Sequence, residues 1–158
     1  MTLQNNNINQ HNKYRLSVQL TLTGFSFLVT NIAKKEIDFF SEKTFEQTVS
    51  PGELLLELKS ILNDNSIFNT EFSEMNVIYH TTLYSLSPTS LFDESKSSDY
   101  LKFNAKILEN DFIAHDTLKN HDITNIYIPF ININNFLFEK FGNFNYHHSI
   151  TLLLKHLF

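Results

Sequence analysis

The sequence predicts a mixed α/β domain, in which a three-stranded antiparallel meander leads into alternating helices and strands. Three observations support this fold class. Apolar and polar residues alternate over residues 16–22, an apolar segment returns after the turn signal Thr23-Gly24, and a third lies among charged residues at 36–45. A capped helix is predicted to begin behind Ser50. Beyond it, short apolar segments alternate with helical patterns, which is typical of strands and helices packed in layers.

The helix after the meander has the clearest local signature. Ser50, Pro51 and Glu53 occupy the N-cap, the first helical position and the third helical position of a capping box. Leucine and isoleucine then recur at helical spacing from Leu54 to Leu62. The polar residues that follow end the predicted helix.

The elements after this helix are predicted to be short. Strands are predicted over residues 75–80, 82–86, 112–114, 126–128 and 144–146. Helical segments are predicted over residues 89–93, 97–103 and 134–141, and a last helix is predicted behind an N-cap at Ser149. The order β-β-β-α-β-β-α-β-β-α-β-α is similar to the beginning of the ribonuclease-H-like fold, which also forms each lobe of the actin-like ATPases. It implies a mixed sheet with helices on its faces, and by itself it says nothing about function.

Length and composition predict one folded domain over residues 14–158, preceded by a polar tail at residues 1–13. The chain has 158 residues, of which 42% are hydrophobic and 18% are charged, so it can bury a sizeable core. The tail is rich in Asn and Gln and offers almost nothing to bury, so we expect it to be disordered. We find no internal repeat and no linker that would divide the remainder.

Charge and residue usage exclude several classes of function. The formal net charge is -5, and the lysine pair at residues 34–35 is flanked by acidic residues, so we expect no nucleic-acid partner. Without cysteine the chain forms no disulfide, thiolate metal site or cysteine nucleophile. The first residues do not read as a signal peptide, and no apolar run approaches the roughly 20 residues of a membrane helix. We therefore expect no membrane insertion and a cytoplasmic location.

Several short motifs from Tyr14 onwards carry a family resemblance. They lie at residues 16–20, 24–27, 90–93, 100–104, 125–129 and 148–149. With these motifs the chain resembles a bacterial family of unknown function, chiefly from Bacteroidota, that is distantly similar to the actin-like lobes of PilM and FtsA. Members of that family continue into a second lobe. The resemblance therefore implies that this chain is the first lobe of a longer architecture, bound by a second lobe or a protein partner.

The same resemblance locates a candidate nucleotide site in the first hairpin. In actin-like ATPases this hairpin carries an Asp-x-Gly phosphate loop, whose Asp positions the metal-bound nucleotide and whose Gly lets the backbone approach the phosphates. The pattern places Gln19 at the Asp position and Thr21 at the Gly position, with Gly24 close by. A neutral amide cannot replace a carboxylate near Mg²⁺, and the β-carbon of a threonine crowds a phosphate. These three residues are candidates for a degenerate phosphate loop, and we predict no cofactor.

Other side chains that could carry chemistry are expected to have simpler roles. His147 and His148 are adjacent, so on a strand they point to opposite faces and cannot chelate one metal ion. His115 and His121, each followed by an aspartate, are predicted to lie in a polar connection without a metal-binding spacing. Solvated turns are expected for the acidic pairs Glu71/Glu74, Asp93/Glu94 and Glu109/Asp111. The first strand has no acidic residue, which argues against two-metal nuclease chemistry, and we predict no metal site or catalytic residue.

Two functions from different classes remain. The first is a non-catalytic interaction or scaffold domain on a degenerate actin-like lobe. The second is an ATPase or small-molecule kinase whose nucleotide site needs a second domain; Gln19 and Thr21 favour the first function. The aromatic residues considered for an interface are Phe39, Phe40, Tyr127, Phe130, Phe136 and Phe138. We expect most of these rings to pack in the core, since an exposed aromatic patch is the exception.

Overall fold

The computed structural model of the chain describes residues 13–103, 106–108 and 111–157, so the predicted tail up to residue 12 lies outside the described part. The strands are β1 (Tyr14–Thr21), β2 (Gly24–Asn31), β3 (Glu36–Thr44), β4 (Glu74–Tyr79), β5 (Tyr84–Pro88), β6 (Ala114–Leu118), β7 (Ile123–Tyr127) and β8 (Asn145–His148). The helices are α1 (Pro51–Asp64), α2 (Ser97–Leu101), α3 (Ile131–Phe141) and α4 (Ser149–Leu157). Single 3-10 turns lie at Ser66–Asn69, Thr89–Leu91, Glu94–Lys96 and Lys119–His121.

The main sheet is mixed and has the strand order β3-β2-β1-β4-β8. The first three strands form the predicted antiparallel meander, in which Gln19 pairs with Ser26 and Ser26 with Glu42. Strands β4 and β8 extend the sheet on the other side of β1 in parallel. The mixed α/β fold class predicted from the sequence is confirmed.

A second, smaller sheet interrupts the chain between β4 and β8. Its order is β5-β7-β6, and both pairings are antiparallel. Leu101 of α2 packs with Ile126 and Ile128 in a small core of its own. The short strands were predicted only in part, and the arrangement of these strands in a separate sheet was not predicted.

The main core lies between one face of the five-stranded sheet and helices α1 and α3. Alternate residues of β1 such as Leu16, Val18 and Leu20 point to this face and are fully buried. The helices bury the leucine and isoleucine residues that recur on one side of each: Leu54, Leu58 and Leu62 from α1, with Ile133 and Leu137 from α3. Period-2 strands and period-3.6 helices thus meet along apolar surfaces, as their patterns predict.

The predicted capping box of α1 is present. The Ser50 hydroxyl accepts a hydrogen bond from the Glu53 backbone N–H at 3.3 Å, and Glu53 Oε2 accepts one from the Ser50 backbone N–H at 2.8 Å. Pro51 occupies the first helical position, where no backbone donor is needed. The start of this helix is therefore specified by local sequence.

A buried hydrogen bond joins the end of β4 to α3. The hydroxyl of Tyr79 donates to Oδ1 of Asn134, and both side chains are buried. Burial raises the pKa of Tyr79, so the hydroxyl keeps its proton and remains a donor. The pair satisfies two polar groups that would otherwise be costly in an apolar layer.

The opposite side of the main sheet, called the outer face below, is exposed or half-buried at Gln19, Thr21, Ser26 and Leu28. A bulge in β3 adds two apolar side chains to it. Val29 pairs with Phe39, but Thr30 pairs with Ile37, so Asp38 is the extra residue on the bulged strand.

The bulge places Ile37 and Phe40 on the same face, although they are three positions apart in the sequence. Ile37 is 66% exposed and Phe40 is 60% exposed. Together with the neighbouring Leu28 they form what we call the edge patch. Of the other aromatic residues considered from the sequence, Tyr127 and Phe130 are buried, Phe39 and Phe136 pack against the core, and Phe138 is exposed.

Two predicted positions in the C-terminal half are corrected. The strand expected at residues 112–114 starts at Ala114 and continues to Leu118, so His115 and Asp116 lie on β6 and not in a polar connection. Pairing with β7 holds this strand along its whole length despite its polar sequence. Ser149 is the first residue of α4 and not its cap.

The cap of α4 comes from the preceding residue. His148 Nδ1 accepts a hydrogen bond from the Ile150 backbone N–H at 3.2 Å. In the part of the chain that the structure describes, no helix is long and apolar enough to cross a bilayer.

Candidate functional site

The structure brings the three residues of the predicted degenerate loop together at one end of the β1–β2 hairpin. Gln19 and Thr21 lie on the outer face at the end of β1, and Gly24 begins β2 opposite Thr21. All three line a depression of about 480 Å³. Its other walls include Glu42 and Lys43 from β3.

The turn of this hairpin is tied to itself and to the chain behind it. The Thr23 backbone N–H donates to Thr21 Oγ1 at 3.4 Å, and the two threonine hydroxyls lie 3.3 Å apart. The carbonyls of Leu22 and Thr23 accept from the backbone N–H groups of Val49 and Phe45 at 2.8 and 2.9 Å. At least one turn amide is therefore engaged by a side chain and is not directed at a ligand.

The charges around the depression do not favour a phosphate group. Lys43 is its only cationic side chain among the described lining residues, and its Nζ forms an ion pair with the Glu57 carboxylate of α1. The carboxylate of Glu42 adds negative charge to the same wall. Phosphate sites need donors and positive potential that are free to face the ligand.

Gly24 has a structural reason to be glycine. A β-carbon at this position would meet the backbone carbonyl oxygen of Lys43 far inside van der Waals contact. The glycine therefore lets β3 approach β2 closely at the end of the sheet. This contact explains the residue without a ligand.

A second group of polar residues surrounds Asp116, whose side chain is only 8% exposed. Its Oδ1 accepts from His147 Nδ1 at 3.0 Å and lies 3.4 Å from the Tyr127 hydroxyl, and its Oδ2 accepts from the His148 backbone N–H at 2.9 Å. The Thr151 side chain of α4 also helps to lower the pKa of this carboxyl group. The network spans strands β6, β7 and β8 and helix α4.

The network fixes the ionisation of Asp116 and His147. Burial by itself raises the pKa of Asp116, but its hydrogen bonds, first among them the one from His147, outweigh burial and hold the pKa below its ordinary value. The hydrogen bond to Asp116 raises the pKa of His147, against the opposing effects of burial and of Lys155. The pair therefore favours a carboxylate beside an imidazolium.

His148 faces the interior, as the strand alternation predicts, while His147 is half-exposed on the other side. The His148 ring packs between Tyr84 and Tyr127, at centroid distances of 4.8 and 5.2 Å. Its Nε2 lies 3.0 Å from the Thr81 carbonyl oxygen, so Nε2 carries the proton while Nδ1 accepts. Burial lowers the pKa of this imidazole, consistent with the neutral form.

A cavity of about 460 Å³ opens beside the Asp116 network. Its walls come from β6, the turn that follows it, His147 and helix α4. Among the described residues that line it are three histidines, two lysines and one aspartate: His115, His121, His147, Lys119, Lys155 and Asp116. No described cluster of three or more His, Asp or Glu is arranged to hold a metal ion.

Comparison with known proteins shows to which family the chain belongs. The model of the protein family of unknown function DUF3822 matches residues 3–158. The chain belongs to this family. A comparison with curated proteins found no match.

Solved structures show which fold the DUF3822 chain has. A Bacteroides thetaiotaomicron VPI-5482 protein with an actin-like ATPase fold and unknown function covers 92% of this chain, with a TM-score of 0.80 and 21% identity. The DUF3822 chain therefore has the actin-like fold, and it spans 56% of the length of that protein. The cytoplasmic domain of EpsL, an inner membrane component of the Vibrio cholerae type II secretion system, covers 85% of this chain at 14% identity with a TM-score of 0.46, and the chain covers 56% of that domain.

Sequence reasoning located the hairpin residues in the DUF3822 chain and missed the Asp116 network. Asp116 and His147 are 31 residues apart, and neither stands in a motif. The available signal was weak: Asp116 stands at an inward position of a strand that alternates buried and exposed residues. Recognising that strand required its pairing with β7, which the sequence does not display.

Proposed function

We propose that this chain is a non-catalytic protein-interaction or scaffold lobe built on a degenerate actin-like fold. The feature that carries the proposal is the first hairpin, where the resemblance assigns Gln19 and Thr21 to the positions of the Asp and Gly of an actin-like phosphate loop. The amide of Gln19 cannot supply the negative charge that orients a hydrated Mg²⁺. The side chain of Thr21 hydrogen bonds within the turn, where a phosphate would need open backbone.

The charge of the surrounding surface supports the same proposal. Lys43 is held by Glu57, and Glu42 faces the depression beside Gln19. A nucleoside triphosphate in this depression would therefore lie beside a wall of net negative charge. Nucleic acid carries phosphate groups as well, so the same negative wall disfavours it. The net charge of -5 also disfavours it, and the proposal therefore includes no nucleic-acid partner.

The edge patch is the surface that we assign to the partner. Ile37 and Phe40 are apolar side chains held exposed on one face by the bulge at Asp38. Exposed aromatic and branched aliphatic groups at a sheet edge are the kind of surface that protein partners cover. A second lobe or a separate protein with an apolar face fits it. We place this binding in the cytoplasm as part of the proposal.

The alternative is a nucleotide-dependent protein whose site needs a second domain. It is favoured by the actin-like ATPase fold of the Bacteroides protein and by the fact that the chain spans 56% of that protein's length. A site shared between two lobes would draw some of its ligands from the other lobe. Nucleotide binding distinguishes the two functions.

A thermal-shift titration of the longest available form with Mg-ATP, Mg-GTP and buffer tests nucleotide binding. A ligand at a hundred times its Kd adds about 2.7 kcal/mol to stability, which shifts the Tm of a domain of this size by roughly several degrees. We expect no shift, while an actin-like ATPase shifts in parallel. A saturable shift that Gln19→Ala abolishes would overturn the proposal in favour of the alternative.

Affinity purification from cells tests the interaction. We expect a protein that co-purifies reproducibly with the wild-type chain to be lost when Ile37→Ser and Phe40→Ser are combined. Leu56→Ser is the matched control, because Leu56 is 68% exposed on α1 and lies outside the edge patch. A monomeric wild-type chain with no reproducible partner, or equal loss in the control, would contradict the proposal.

A further inference from the structure

The cavity beside the Asp116 network concentrates basic groups in an acidic chain. The chain carries 12 Lys and Arg against 17 Asp and Glu. Yet Lys119, Lys155, His121 and His147 line this one cavity, and its described walls contain a single acidic residue, Asp116. His115 belongs to the same wall, but its ring packs against Phe92 on the opposite face of β6. That carboxylate is buried and already accepts hydrogen bonds from His147, the His148 backbone N–H and Tyr127, so it offers little negative charge to a ligand.

His147 is held in one orientation at the wall of this cavity. The hydrogen bond from Nδ1 to Asp116 leaves Nε2 as the ring nitrogen that a ligand can contact. The ring is 47% exposed, and Asp116 favours its protonated form, in which Nε2 donates. The Asp116 carboxylate is held in turn by the His148 backbone N–H, which donates to Oδ2 at 2.9 Å. The donor is thus held in place before any ligand arrives, which lowers the cost of binding.

We propose that this cavity binds a small phosphate monoester or free phosphate, with His147, Lys119 and Lys155 as the groups that contact the anion. The volume of about 460 Å³ is within the range of small-molecule sites and far larger than a lone ion needs. Lysine ammonium groups act as point charges for phosphate, and hydrogen bonds between ionised partners are the strong ones. A cation is not a suitable ligand, because the basic side chains around Asp116 would repel it.

This site is independent of the proposed partner function. It is built by β6, β8 and α4, whereas the edge patch is built by β2 and β3 at the opposite edge of the main sheet. A phosphate ligand here would require neither the hairpin depression nor a protein partner. Failure of one proposal leaves the other standing, and the two tests use different variants.

The test is a titration of the full chain followed by NMR on its histidine ring protons, with His147 assigned from the His147→Gln variant. The probes are inorganic phosphate, glycerol 3-phosphate and acetate, each at constant ionic strength. We expect saturable shifts of the His147 signals with both phosphate probes and much weaker ones with acetate. Saturation with phosphate alone would identify free phosphate as the ligand, and saturation with both would identify a site open to esters.

Charge-removing variants decide whether the cavity is responsible. Combining Lys119→Gln and Lys155→Gln is expected to weaken phosphate binding by at least about tenfold, since two charged contacts are lost. Lys34→Gln is the control, because it removes one charge from the exposed turn between β2 and β3 and should leave binding unchanged. Lys34, Lys119 and Lys155 are all exposed, so we expect these variants to fold. Absence of a saturable shift, equal binding of acetate, or an equal effect of the control would overturn the proposal.

Discussion

Asp116 Oδ1 and His147 Nδ1 lie 3.0 Å apart, although the two residues belong to strands of different sheets. Asp116 belongs to the small sheet and His147 to the main sheet. The contact therefore links the two sheets, together with the hydrogen bond from the His148 backbone N–H to the same carboxylate. A buried carboxylate with these donors is a structural junction, and it also orients the His147 ring at the wall of the neighbouring cavity.

Replacing Asp116 by Asn should destabilise the fold. The amide keeps the shape but loses the negative charge, and its NH₂ group would face a donor. Because hydrogen bonds to charged groups contribute about 1.5–3 kcal/mol each, we expect a loss of about 2–3 kcal/mol in the free energy of unfolding. Urea denaturation measures it. Asp38→Asn, at an exposed carboxylate on β3, should change stability by less than about 0.5 kcal/mol; equal effects would show that the junction adds nothing.

The two adjacent histidines should affect stability in opposite directions with pH. Because its folded pKa is raised above 6.5, His147 contributes stability that is fully present below that pH and is lost as pH rises through the folded pKa. The folded pKa of His148 is lowered below 6.5, so its protonation favours the unfolded state. His148 therefore lowers the free energy of unfolding increasingly as pH falls from 6.5 through the folded pKa. The titratable groups that face these two histidines are Asp116, Lys155 and His80.

The His147→Gln variant separates these contributions. We expect the difference in unfolding free energy between wild type and variant to be larger at about pH 6 than at about pH 9, since only the lower pH contains the His147 contribution. The unfolding free energy of the variant should fall more steeply than that of wild type as pH falls, because the variant keeps the His148 effect and lacks the opposing His147 contribution. His156→Gln, at an exposed position on α4, is the control. A difference that does not vary with pH would show that Asp116 does not hold the His147 proton.

The parts of this fold that the sequence predicted are those with local causes. The alternation that begins at Leu16 and the capping box at Ser50 specify the meander and α1 without help from distant residues. The small sheet was not predicted, because its central strand β7 carries buried polar residues, Thr124 and Asn125, whose burial depends on cross-strand partners. The strand β6 was misplaced for the same reason. From the sequence alone, a polar side chain such as Asp116 is predicted to be solvated, because its hydrogen-bond donors come from distant parts of the chain.

The hairpin shows how much of a candidate site a sequence can predict. A resemblance located Gln19, Thr21 and Gly24, and the structure places them around one depression. What the sequence could not show was the carbonyl of Lys43 beside Gly24, because β3 approaches from another part of the chain.

That contact leads to a prediction for the glycines. Gly24→Ala should destabilise the protein by about 1–3 kcal/mol, because the new methyl group must push β3 away from β2. Gly52→Ala is the matched control: its β-carbon would meet only Ser50 Oγ at 3.9 Å, and in helix α1 alanine is favoured by up to about 1 kcal/mol. Thermal and urea unfolding compare the two. Equal tolerance at both positions would remove the structural reason for Gly24.

The hydrogen bond between Tyr79 and Asn134 provides a test of how β4 and α3 are joined. Tyr79→Phe keeps the ring contacts with Phe130 and Tyr146 but leaves Asn134 Oδ1 buried without its donor. We expect a loss of about 1–3 kcal/mol in unfolding free energy, the cost of an unsatisfied buried polar group. Asn134→Leu likewise leaves the buried Tyr79 hydroxyl without its acceptor. The double variant leaves neither polar group without a partner. Its loss in unfolding free energy should therefore be smaller than the sum of the two single losses by at least about 0.5 kcal/mol. Strictly additive losses would mean that the two side chains do not stabilise each other.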